Sequence, residues 1–282
     1  MTRSLFLLLC AFITLTACSK PETTDSTAGS QPQGRVVKGD TTIVDELLDK
    51  AGLNAQISYL PTSIMNRADD QLRRGIVDVD TVRDILNETY NPAALRSGVR
   101  VYLLDSLSEA QAKDMVQWLD TDLGKKITNL EVAGSKPNMI HHVMGKYHEL
   151  ANNSPRVAMV GELEKVTGAT EHSINLALAV ERSLQLALNQ RLPEVNQISE
   201  AEMLSEEPEK RLQMQQRFSK IVEATYLYNY QSLSDDELSK YISFSQSDTA
   251  KAYHRLVSEA FQKAVSSAGK KASLKIAALN AG

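Results

Sequence analysis

The stretch Tyr102–Glu131, YLLDSLSEAQAKDMVQWLDTDLGKKITNLE, returns 126 residues later as Tyr228–Val257, YNYQSLSDDELSKYISFSQSDTAKAYHRLV. Seven of the thirty positions are identical, against about two expected from ordinary residue frequencies. The matches fall where helices need them. Ser108 and Ser234 stand three residues before Gln111 and Glu237. At that spacing a hydroxyl and a Gln or Glu side chain satisfy two free amides of a helix start. Trp118 aligns with Phe244, Thr121 with Ser247 and Gly124 with Ala250. Thr121 and Ser247 are placed to cap the next helix. The small residue lets that helix pack close to its neighbour, and the aromatic fills the corner.

Outward from this pair the chain keeps a helical period. Ile43, Val44, Leu47, Leu48 and Ala51 share one face, and Gly52 is a natural stop. Residues 53–74 form a second helix or a pair interrupted by Pro61. Further helices are expected at 81–88, 92–105, 139–151, 156–166, 170–191, 234–245 and 248–267, with the clearest break at Gly134–Pro137. Glu207–Pro208 suggests the start of a helix running to about Tyr230. No period-2 run of β-branched residues suggests a strand. Asp49–Gly52 resembles Lys165–Gly168 at an offset of 116, which puts an insert into the second copy, near 194–208. The expected fold is all-α, with two related antiparallel helical units in tandem, 40–135 and 155–270.

The N-terminus reads MTRSLFLLLCAFITLTAC, with a basic Arg3, an apolar run and small residues before Cys18. This is secretory-signal grammar, and the run is short for a membrane span. Its end, Leu15–Cys18, resembles the bacterial lipobox. That resemblance implies removal of residues 1–17 and acylation of Cys18, including an amide-linked chain such as palmitate. Ser19 after the cysteine implies the outer-membrane address. Several acyl chains give stable anchoring. Residues 18–39 are polar, with Pro21 and Pro32, and read as a flexible tether. The only other cysteine, Cys10, lies in the signal, so a processed chain has no disulfide and no thiol nucleophile.

Each copy also resembles a widespread family of exported, all-helical bacterial domains of unknown function. The family's pattern is Ser/Thr-x-x-Glu at a helix start, followed by Phe-Tyr-x-Ser-x-x-Gly-x-Lys. The first copy matches at Ser108, Gln111, Trp118, Thr121, Gly124 and Lys125, the second at Ser234, Glu237, Phe244, Ser247 and Lys251. Leu119 and Ser245 replace the usual Tyr, and Ala250 the usual Gly. The resemblance implies a helical fold and export, and brings no reaction.

The composition narrows the function. Thirty-one Lys and Arg against 35 Asp and Glu give a net charge of −4, unlike the basic face of a nucleic-acid binder. The usual hydrolase, nucleotide and zinc-protease motifs are missing. Ser267–Lys270 fits Ser-x-x-Lys without the partner motifs of a Ser–Lys enzyme. His141, His142 and His148 cluster, but their spacing does not converge on one metal, and a polar surface face is expected. His172 and His254 stand alone. No metal and no cofactor are expected. Ile174–Leu188 is the most apolar helix, and reads as a central helix or the wall of an apolar pocket. The leading expectation is a non-catalytic scaffold, lipid-anchored through Cys18 to the periplasmic face of the outer membrane, with an envelope protein as partner. The alternative is a carrier or sensor holding an apolar envelope molecule between helices. An unfamiliar enzyme ranks third, and would need ionisable residues of both copies to converge.

Overall fold

The computed structural model describes residues 41–279 apart from 74, 75, 77, 138 and 193. The expected signal, Cys18 and the expected tether lie outside the described residues. Those described form twelve α-helices, two 3₁₀ turns and no strand. The fold is all-α. Helices α1 (Thr41–Lys50), α2 (Leu53–Leu72), α3 (Val79–Thr89), α4 (Pro92–Ser106), α5 (Glu109–Asp120) and α6 (Asp122–Gly134) come first. They are followed by α7 (Met139–Leu150), α8 (Ser154–Thr167), α9 (Ala169–Leu188), α10 (Glu200–Asn229), α11 (Asp235–Ser245) and α12 (Asp248–Ala278). None is long and apolar enough to cross a membrane.

Local chemistry sets the helix boundaries. Gly52 ends α1 at φ 67°, a left-handed turn that glycine adopts without a Cβ penalty. A Cβ there would also lie 2.3 Å from Val132 Cγ2, so the turn sits tight against α6. Asn91 caps α4 by accepting the Ala94 N–H, with Pro92 at the first helical position.

Of two prolines, Pro61 settles one of two open expectations and Pro208 departs from its own. Pro61 does not interrupt α2, which buries Ile57, Leu60, Ile64, Ala68 and Leu72 as one stripe. That stripe outweighs the amide lost at proline. Pro208 does not start α10. The helix begins at Glu200, where Ser199 and Glu202 form a capping box, and Pro208 lies inside it. Side chains flanking the proline hold this half of α10 to α9: Lys210 Nζ pairs with Glu181 at 3.0 Å and Arg211 donates to Asn175 Oδ1 at 2.6 Å. Much of the expected insert, 194–208, is therefore helix. The last helix runs on to Ala278 rather than stopping near 267, because Ala268, Ala272 and Ile276 continue its buried face.

The core follows the long helices rather than chain order. One apolar cluster joins α1–α5 to α9 and α12. A second joins α6, α8, α10 and α11. Ile174, Ala177 and Leu178 pack on Phe218 in a third. Helix α12 is the spine, with small residues at its contacts. A Cβ on Gly98 of α4 would lie 2.8 Å from the Ala264 Cβ. One on Gly269 would lie 2.1 Å from Ser183 Oγ of α9. Ser183 donates to the Val265 carbonyl at 3.0 Å and is bonded to the buried Tyr90 hydroxyl.

Candidate functional site

The residues shared by the two copies build two similar corners. Ser108 accepts the Gln111 N–H while Gln111 accepts the Ser108 N–H; Ser234 and Glu237 make the same pair. At the next start, Thr121 Oγ1 accepts the Gly124 N–H at 3.0 Å, and Ser247 Oγ accepts the Ala250 N–H at 3.2 Å. Gly124 lies against its own corner aromatic: a Cβ would sit 2.2 Å from the Trp118 carbonyl oxygen and 2.6 Å from Cε3 and Cζ3. The second corner carries that methyl at Ala250, which is fully buried. Trp118 and Phe244 then meet each other edge to face, ring centroids 4.5 Å apart, the geometry aromatic quadrupoles favour.

Beside this contact is a cavity of about 50 Å³. Its wall includes five pairs of residues at the 126-residue offset: Met115 and Tyr241, Trp118 and Phe244, Ile127 and Tyr253, Thr128 and His254, Glu131 and Val257. Leu53 and Gln56 of α2 close another side. Within the pairs the two members differ in polarity. Where the first copy has Met115 and Ile127, the second has tyrosines; where the first has Glu131, the second has Val257. Trp118, Leu119, Thr128, Glu131 and Phe244 keep partial exposure.

The polar groups of this wall are unevenly satisfied. Glu131 Oε1 accepts the Tyr230 hydroxyl at 2.7 Å and the Tyr241 hydroxyl at 2.9 Å. The side chain retains some accessible surface, yet its carboxyl is surrounded closely enough that burial raises its pKa above 4.5. Burial, and then the Glu131 charge, push both tyrosines well above 10, so they stay hydroxyl donors. His254 is 6% exposed, and burial, with His172 nearby, lowers its pKa to about 3. Its ring is neutral at physiological pH. Gln56 Oε1, Trp118 Nε1 and His254 Nε2 have no hydrogen-bond partner. Buried polar atoms are usually paired; these three belong to residues of the cavity wall, but the atoms themselves are closed off from it by their own packing.

The other sequence candidates do not converge. His141, His142 and His148 are exposed on α7, and no His, Cys, Asp and Glu grouping suited to a metal occurs among the described residues. Ser267 and Lys270 are exposed on α12. The apolar helix Ile174–Leu188 is packed into core rather than lining this cavity. Gln56, Glu131 and the tyrosines escaped the sequence reading. Gln56 had a local signal, a polar residue inside the apolar stripe Leu53–Ile57–Leu60. Glu131 had none, because its tyrosine partners lie 99 and 110 residues away. Compared with protein-family models, curated proteins and solved structures, the chain matches none.

Proposed function

We propose that this chain is a non-catalytic binding protein of the bacterial envelope, made of two related helical units and held through lipidated Cys18 to the periplasmic face of the outer membrane. In this reading the units meet at the paired corners, and the cavity between them receives one end of a small ligand. The cavity itself, walled by five pairs of equivalent positions, carries the reading. It keeps the carrier or sensor alternative but moves the site away from Ile174–Leu188, and makes it amphipathic rather than wholly apolar. Buried tyrosines held protonated and a neutral His254 suit recognition better than proton transfer. Native mass spectrometry of the chain purified gently from the envelope tests it. A co-purified mass released on denaturation supports a ligand site. A bare chain whose mass and stability do not change with envelope extract removes it.

A second reading, docking of an envelope protein, is favoured by α10. Leu204, Pro208 and Leu212 stand exposed at four-residue spacing on one side of it. Cross-linking from residue 204, exposed on the same side, in intact cells tests this. Loss of a specific product in Leu212→Glu would support docking, and the absence of any specific product would remove it.

A further inference from the structure

We infer that the C-terminal half of α12 is a membrane-facing surface, laid by its lysines against a bilayer of anionic lipids with Leu274 reaching in among the acyl chains. This rests on the membrane anchor proposed above and adds the face that the anchored body turns to the membrane. Lys263, Ser267, Lys270, Lys271 and Leu274 are all exposed. At 3.6 residues per turn, residues 263, 267, 270 and 274 form one stripe about 16 Å long, with Lys271 beside it. The opposite side of the same turns, with Ala264, Val265, Ala268 and Ala272, is buried, so the core holds the stripe outward.

Charge selects the partner. Residues 260–282 include four lysines and no aspartate or glutamate. Lys275 is spent on Glu88 at 2.5 Å, whereas Lys263, Lys270 and Lys271 make no ion pair among the described residues. The chain as a whole carries −4, so an anionic surface repels most of the body and admits this stripe. Charge here sets orientation more than affinity. A chain held only at its N-terminus presents no particular face; the stripe supplies one. Leu274 is 74% exposed and has lysines one, three and four residues away. That arrangement suits an interface, where the ammonium groups stay at headgroup level on their long stems while the leucine enters the acyl boundary. An acidic protein would also attract the lysines, but a lone projecting leucine gives it no apolar centre of the kind protein interfaces are built around.

The test uses the chain with its N-terminal anchor on vesicles of phosphatidylglycerol and phosphatidylcholine whose acyl chains carry bromine, which quenches tryptophan on contact. Flotation reports the anchor separately. Trp118 is the only tryptophan and gives the background. Leu274→Trp should add emission that the brominated lipid quenches beyond that background. Leu212→Trp, at a residue 75% exposed on α10, should add none. Each lysine near an anionic surface strengthens contact about fivefold, so replacing Lys263, Lys270 and Lys271 by Gln together should weaken it about a hundredfold and abolish the quenching at 274. Vesicles of phosphatidylcholine alone, or salt at about 0.5 M, should do the same. No excess quenching at 274, equal quenching at 212, or quenching at 274 that survives the triple substitution would overturn the assignment. An acidic protein as the true partner gives the first of these results. Flotation without excess quenching leaves the anchor standing and removes this face; a chain that does not float removes the anchor and the face with it.

Discussion

Replacing Gly124 by alanine should destabilise the protein although alanine is the better helix former, and reversing the change in the other copy should also destabilise it. The Trp118 carbonyl cannot step aside, because it accepts both the Thr121 N–H at 3.0 Å and the Thr121 hydroxyl at 2.7 Å. A methyl at 124 would lie 2.2 Å from that oxygen. Overpacking costs about 1–3 kcal/mol, and contact with a pinned backbone atom belongs at the upper end. The gain in helix propensity returns at most about 1 kcal/mol. The net loss is about 2 kcal/mol, which lowers the melting temperature by about 4–8 °C for a domain of this size. Ala250→Gly removes a fully buried methyl and adds backbone freedom, costing about 1–2 kcal/mol. Thermal melts followed by far-ultraviolet circular dichroism measure both. Trp118 fluorescence should shift in Gly124→Ala as the ring is displaced. A Gly124→Ala protein that melts at or above the wild type would refute the corner-packing argument.

Arg156 is 8% exposed and donates to the carbonyls of Tyr230 and Leu233 as well as to Asp235. Arg156→Met should therefore cost about 3 kcal/mol in urea denaturation, while Asp235→Asn, at a carboxylate 77% exposed, should cost under about 1 kcal/mol; equal effects would show that the ion pair, not the carbonyls, carries the stability. Ser108→Ala and Ser234→Ala should each cost about 1 kcal/mol, visible as a lower urea midpoint with unchanged slope. Glu131 sets a pH dependence of definite sign. Its folded pKa is raised above the ordinary 4.5 by burial, so its contribution is most favourable below the unfolded value and is lost as pH rises through the folded one. The stability of Glu131→Gln relative to wild type should rise with pH across that window and then level off; a difference that does not change with pH would contradict the buried carboxyl.

Most of the helices were legible in the sequence because their causes are local. Capping boxes, the Gly52 stop and the stripe in α1 act within a few residues. The two capped corners were legible because their shared residues sit where backbone geometry tolerates few side chains. Pro61 left two readings open and Pro208 misled, because a proline's cost is local while its compensation is not: buried stripes and cross-helix ion pairs hold α2 and α10 through it. The length of α12 was underestimated for a related reason. Its last turns carry alanines and lysines with little periodic contrast, and only the neighbouring helices decide which face is covered.

The sequence by itself determined an all-helical chain with a duplicated cap-and-corner element, since hydrogen-bonding needs at helix ends and hydrophobic period are encoded within single segments. Only the tertiary structure decided that Trp118 meets Phe244 and that equivalent positions of the two repeated stretches line one cavity. It alone brought Glu131 to two tyrosines about a hundred residues along the chain, and left Gln56 Oε1 and His254 Nε2 without hydrogen-bond partners. Desolvation and unmet hydrogen bonds are properties of the assembled interior. They depend on what the other helices place nearby, which no single stretch of sequence specifies.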